Sequence, residues 1–91
     1  MAVDLPPLRY DHPFVGTLVI ERVDLEGLWK HCQPYGGWAC EVTINGTAHI
    51  YIVRETEIVE GPSRDRFLRE LPLLIRHEIG HANGWPADHP K

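Results

Sequence analysis

The stretch "HEIGH" sets His77, Glu78 and His81 in a row, and "NGWPADHP" behind it brings a third histidine, His89, directly after Asp88. On a helix, residues four apart differ by only about 40° in direction, so His77 and His81 share one face. Two imidazoles at this spacing can hold one ion with tetrahedral geometry. Glu78 points about 100° around from His77. It can therefore reach a metal-activated water without joining the ligands. A carboxylate so placed takes the proton from water as it attacks a carbonyl and returns it to the departing amine. The competing reading is a helix end that is rich in histidine by chance. Histidine is a poor interior helix former with little else to gain from clustering here. The motif also lies on an amphipathic segment that stops at a glycine, and both features favour a metal site.

The chain beyond His81 decides which residue completes the set. Asn83-Gly84 is a helix stop with Gly84 in the left-handed position, and Pro86 prevents the helix from resuming. The segment should then curl back toward the two helical imidazoles with Asp88 and His89 adjacent.

HExxH is the zincin signature. The sequence resembles the metzincin-like zinc metallopeptidases, and more closely the very small metallopeptidases of phages and bacteria that carry H-E-x-x-H-x-x-G-W-P-x-D-H. The resemblance runs through His77, Glu78, His81, Gly84, Trp85, Asp88 and His89, and more loosely to the Cys32/Cys40 pair and the "IYI" strand at 50–52. It implies a zincin-like fold, a zinc cofactor and peptide-bond hydrolysis, with Gly84 as the turn that brings the chain back beneath the metal. The usual metzincin third ligand falls three residues after the glycine, which here is Ala87, and alanine cannot bind zinc. A Met-turn is also missing, since the one methionine is Met1. The third ligand is therefore Asp88 or His89. Asp88 has a parallel in the snapalysin-like peptidases, where an aspartate just before a histidine is a ligand. His89 has one in the YbeY-type endoribonucleases, whose three-histidine site also ends in Asp-His. A third neutral imidazole leaves zinc more electrophilic, and an aspartate beside it can orient an imidazole as an acceptor. His89 is favoured, with Asp88 in reserve.

Other polar candidates carry less. His49 and Tyr51 are expected on a polar strand face, where a tyrosine could stabilise an oxyanion, and Tyr35 in the glycine-rich loop stands similarly. His12 and His31 read as surface residues, Arg76 as a solvated side chain, and Trp85 as a packing anchor for the ligand turn.

The elements that position these residues belong to one small domain. Ninety-one residues leave no room for a second core, and a domain of this size gains from a metal or a disulfide. Cys32 and Cys40 could close such a bridge; reduced thiols are the alternative in a cytosolic chain. Residues 1–16, with Pro6, Pro7 and Pro13, read as an extended N-terminal arm. A strand is expected at 17–23, and a short helix capped by Asp24 should bury Leu25, Leu28, Trp29 and Cys32. Strands at 38–43 and 47–53 form a hairpin. A three-residue Ile44-Asn45-Gly46 loop would pair Val42 with Ala48 and gather Trp38, Cys40, Val42, Ala48, Ile50 and Ile52 on one buried face. The last helix, capped by Ser63, is expected to bury Leu68, Leu71, Ile75, Ile79 and Ala82, with a kink or break at Pro72. The fold class is α+β, in the order β-α-β-β-α, with a short, mostly antiparallel sheet packed on the zinc-bearing helix.

These residues predict a zinc metalloendopeptidase in which His77, His81 and His89 hold the ion and Glu78 is the general base. A peptide or protein substrate would lie along the hairpin's edge strand by β-addition, as the resemblance implies. A YbeY-like zinc endoribonuclease and a non-catalytic, zinc-stabilised binding module are the alternatives. The ribonuclease pattern lacks a glutamate after its first histidine. The net charge of −4 and pI near 5.8 also disfavour nucleic acid. No membrane partner is expected. A cytoplasmic monomer is the simplest expectation, with non-classical export or a phage origin left open.

Overall fold

The computed structural model describes residues 3–33 and 37–91; residues 34–36, and with them Tyr35, lie outside the described residues. Strand β1 (Leu18–Val23), helix α1 (Leu25–Cys32), strands β2 (Ala39–Ile44) and β3 (Thr47–Val53) and helix α2 (Pro62–Ala82) follow in the expected order, with a short 3-10 turn at Glu55–Glu57 before α2. The fold is α+β. Its sheet is mixed rather than mostly antiparallel: the order is β1-β3-β2, with β1 parallel to β3 and β2 antiparallel to it. The reason lies in β3. Ala48, Ile50, Tyr51, Ile52 and Val53 are all buried, and a strand covered on both faces belongs at the centre of a sheet.

The same double coverage overturns the expected hairpin register. Val42 pairs with His49, Cys40 with Tyr51 and Ile44 with Thr47, which leaves a two-residue Asn45-Gly46 loop. Both loop residues have positive φ, 50° and 78°, the backbone of a type I′ turn, whose twist matches that of the flanking strands. The expectation of the longer loop rested on sorting apolar residues to a single face. This sheet has no solvent face at its centre to make that sorting necessary.

Helix α1 covers the face that carries Cys40 and Tyr51. Cys32 is disulfide-bonded to Cys40, and His31 stacks on the Tyr51 ring with centroids 3.9 Å apart. Asp24 caps α1 as expected, accepting from the Gly27 N–H at 2.7 Å. Leu28 and Cys32 are buried, whereas Leu25 and Trp29, expected with them, are more than half exposed. An eight-residue helix on a narrow sheet buries only the stripe that faces it.

Helix α2 covers the opposite face. It begins one residue before Ser63, with Pro62 in the first turn and Gly61 as the cap; proline suits that position because its missing N–H would be unpaired there anyway. Pro72 sits within a single continuous helix. It removes the bond to the carbonyl of Leu68, and Leu68 is on the wet side, 46% exposed, where water can serve that carbonyl. The buried stripe is rotated from the expected one: it runs through Phe67 and Leu74 to Glu78 and Gly80, with Leu71, Ile75 and Ile79 packed beside it.

The N-terminal arm is not loose. Pro6 is buried, Asp11 accepts two bonds from the Arg76 guanidinium at 3.2 and 2.5 Å, and the Asn83 amide donates to the carbonyls of Tyr10 and His12. Arg76, expected to be solvated, is thus a clamp. Gly80 lets the arm approach. A Cβ built there would lie 2.8 Å from Pro6 Cβ and closer still to Pro6 Cγ. An exposed helical Gly→Ala change normally stabilises by about 1 kcal/mol, so Gly80→Ala is a sharp test of this contact. Overpacking of about 1–3 kcal/mol should win and lower the melting temperature by roughly 5–10 °C, and Pro6→Gly in the same chain should restore it. A melting temperature that rises in Gly80→Ala would show that the arm does not press on the helix.

Candidate metal centre

Helix α2 carries His77 and His81 one turn apart and then ends in a motif that turns the chain back. Gly84, at φ 106°, lets its N–H reach the His81 carbonyl at 3.0 Å while the Trp85 N–H reaches the Gly80 carbonyl at 3.0 Å. This is the Schellman pattern that a glycine after a helix permits. Trp85 is then driven inward, 2% exposed, and its indole N–H donates to the Pro90 carbonyl at 2.8 Å. Its ring lies 4.9–5.0 Å from all three imidazoles of His77, His81 and His89. The expected packing anchor is therefore the floor of the cluster. A tight turn from Pro86 to His89 follows, closed by the His89 N–H on the Pro86 carbonyl at 3.0 Å. His89 itself adopts a left-handed φ of 57°, a conformation uncommon outside glycine, and its side chain joins the helical pair.

The three Nε2 atoms form a nearly equilateral triangle. They stand 3.2 Å apart for His77 and His81, 3.1 Å for His81 and His89, and 3.2 Å for His77 and His89. Hydrogen bonding does not account for the contact between His77 and His81. The His77 Nδ1–H donates to the Asp4 carbonyl at 2.6 Å and the His81 Nδ1–H to the Trp85 carbonyl at 2.7 Å. In a neutral ring with the proton on Nδ1, Nε2 presents a bare lone pair. Lone pairs converging at this range repel unless a cation lies between them. Tetrahedral zinc with bonds of about 2.0–2.1 Å holds its ligand nitrogens about 3.3–3.4 Å apart, close to the spacing here. The carbonyls that fix the Nδ1 protons are the kind of partners that metal-binding histidines ordinarily have.

His77, His81 and His89 thus form a cluster that could hold a metal ion, with all ligand atoms within 4.8 Å of one another. Comparisons with protein-family models, curated proteins and solved structures find no match. Asp88, the reserve ligand, is exposed and stands outside the cluster among the described residues. Neighbouring residues in a turn point to different sides, and here the histidine points in.

Electrostatics favour the ligand form. Burial lowers the His77 pKa despite its bond to the Asp4 carbonyl, and the neighbouring His81 and His89 lower it further. Burial and His81 lower that of His89 as well. Neutral imidazoles are what a metal needs. Glu78 is 5% exposed and shares a cleft of about 440 Å³ with the three histidines and with Glu41 of β2. Burial, and then the Glu41 charge, push its carboxyl up to about 8. A divalent cation among the imidazoles acts in the opposite direction, favouring the carboxylate.

The remaining candidates are not brought to the cleft. Tyr51 is buried under His31 on the α1 side of the sheet, and His49 lies along the same column, 6.1 Å from the Tyr51 ring. His12 and His31 are exposed. Two contributors escaped the sequence. Asp4 acts through its backbone carbonyl, which no side-chain pattern can announce. Glu41 read as a residue of the hairpin's solvent face, an assignment that fell with the register.

Proposed function

We propose that this protein is a zinc-dependent peptidase of the minimal HExxH kind. The observation that carries the proposal is the convergence of three imidazole Nε2 atoms beside the buried carboxyl of Glu78, within one cleft along strand β2. His77, His81 and His89 would hold the ion, leaving one tetrahedral position for solvent or substrate, the hallmark of a catalytic rather than a structural zinc site. Zinc bound there supplies Lewis acidity, polarising a carbonyl and making a water more acidic. Glu78 accepts the proton from the attacking water and hands it to the leaving amine. Trp85 keeps the imidazoles in place and water out from beneath them. The Asp4 and Trp85 carbonyls hold the Nδ1 protons of His77 and His81, so the Nε2 atoms of those two rings stay unprotonated. Strand β2 is a sheet edge beside the cleft, and an extended peptide can add to its free backbone groups.

The test is cleavage of a peptide library by the zinc-loaded protein, abolished by a chelator and restored by zinc, with an RNA panel in parallel. RNA cleavage without peptide cleavage would replace this reading with the ribonuclease one.

A further inference from the structure

Among the polar groups around the cleft, one takes no part in the ion binding or proton transfer described above. Glu41 faces α2 from β2 and lines the same cleft as His77, Glu78, His81 and His89. It is near enough for its charge to be felt by Glu78. It is half-buried, and its side-chain partner is the Thr43 hydroxyl, which donates to it at 2.5 Å. Among the described residues it belongs to none of the ion pairs, and the cleft walls carry neither lysine nor arginine. Glu41 is also outside the set of atoms close enough to share an ion with the imidazoles. Glu41 is thus a half-buried carboxylate at the cleft wall with a hydroxyl but no cation beside it. A cation arriving from outside would be held strongly there.

We propose that Glu41 is a specificity-determining residue that reads a cationic nitrogen of the substrate beside the bond to be cut. This rests on the peptidase reading of the site. The nitrogen is an ammonium or guanidinium, from a lysine or arginine side chain or from a free amino terminus. The carboxylate accepts its hydrogen bonds while Glu78, across the cleft, stays free for proton transfer.

The experiment uses the full chain loaded with zinc and three matched peptide sets. The first is amino-terminally acetylated with internal lysine or arginine, the second has free amino termini and no basic side chains, and the third is acetylated with norleucine in place of the basic residue. One of the two cationic sets should exceed the norleucine set in kcat/KM by roughly tenfold to a hundredfold, as a charged hydrogen bond supports, and which one does so identifies the source of the nitrogen. Glu41→Gln should erase the preference while zinc content and melting temperature hold, and Glu41→Lys should transfer it to acidic peptides. The same sets, titrated onto the zinc-loaded Glu78→Gln protein, read the preference as affinity without turnover. Cationic binding that disappears in the Glu41→Gln, Glu78→Gln double variant upholds the inference even if no peptide is cut, in which case the peptidase reading alone fails. Equal handling of all three sets, or a cationic preference that survives Glu41→Gln, overturns it.

Discussion

Glu78→Gln is expected to retain zinc and to lose peptide hydrolysis by roughly 10²–10⁴-fold, the usual contribution of a positioned general base. The variant is a clean one because of where Glu78 sits. Its carboxyl is buried, and burial with the nearby Glu41 raises it to about 8, which favours the neutral form in the metal-free protein. Glutamine matches that neutral group in size and hydrogen bonding. The fold without metal should be as stable as the parent, and the three imidazoles keep their places. What disappears is the capacity to accept a proton once a cation has made the carboxylate the favoured form. Assays of zinc content, melting temperature and kcat/KM on one preparation separate these effects. Hydrolysis within a few-fold of the parent would remove Glu78 from the mechanism.

The next largest effect is on the metal. His89→Ala should weaken zinc binding by roughly 10²–10³-fold, since structural zinc sites are worth about 10–16 kcal/mol spread over four ligands. Asp88→Ala should cost far less. Asp88 is exposed, and the backbone turn from Pro86 to His89, not the aspartate side chain, delivers the third imidazole. Competition against a chelator of known affinity measures both variants. A greater loss for Asp88→Ala would make this an aspartate-type site and displace His89.

The site was legible where chemistry depends on spacing along one element. His77, Glu78 and His81 follow from helical geometry, and Gly84 with Pro86 follows from how helices stop. His89 over Asp88 came from ligand chemistry, and the left-handed backbone at His89 is how the turn achieves it. The sheet was less legible, because alternation along a strand implies one wet face and one dry one. β3 has helices over both its faces, so its apolar residues do not alternate, and the pairing partner of each β2 residue moved by one. That slip hid Glu41. The arm was hidden for another reason: Pro6 meets Gly80, and Asp4 meets His77, through ring packing and a backbone carbonyl across more than seventy residues of chain. Gly80 inside a long helix was the one visible hint, since a glycine there often marks a close approach.

Metal analysis combined with X-ray absorption at the zinc edge tests the central claim most directly. The account predicts one zinc per chain, with three nitrogen ligands at about 2.0–2.1 Å and one oxygen from solvent completing the tetrahedron. A chain that takes up no stoichiometric zinc, or a site closed by a fourth protein ligand, would contradict it.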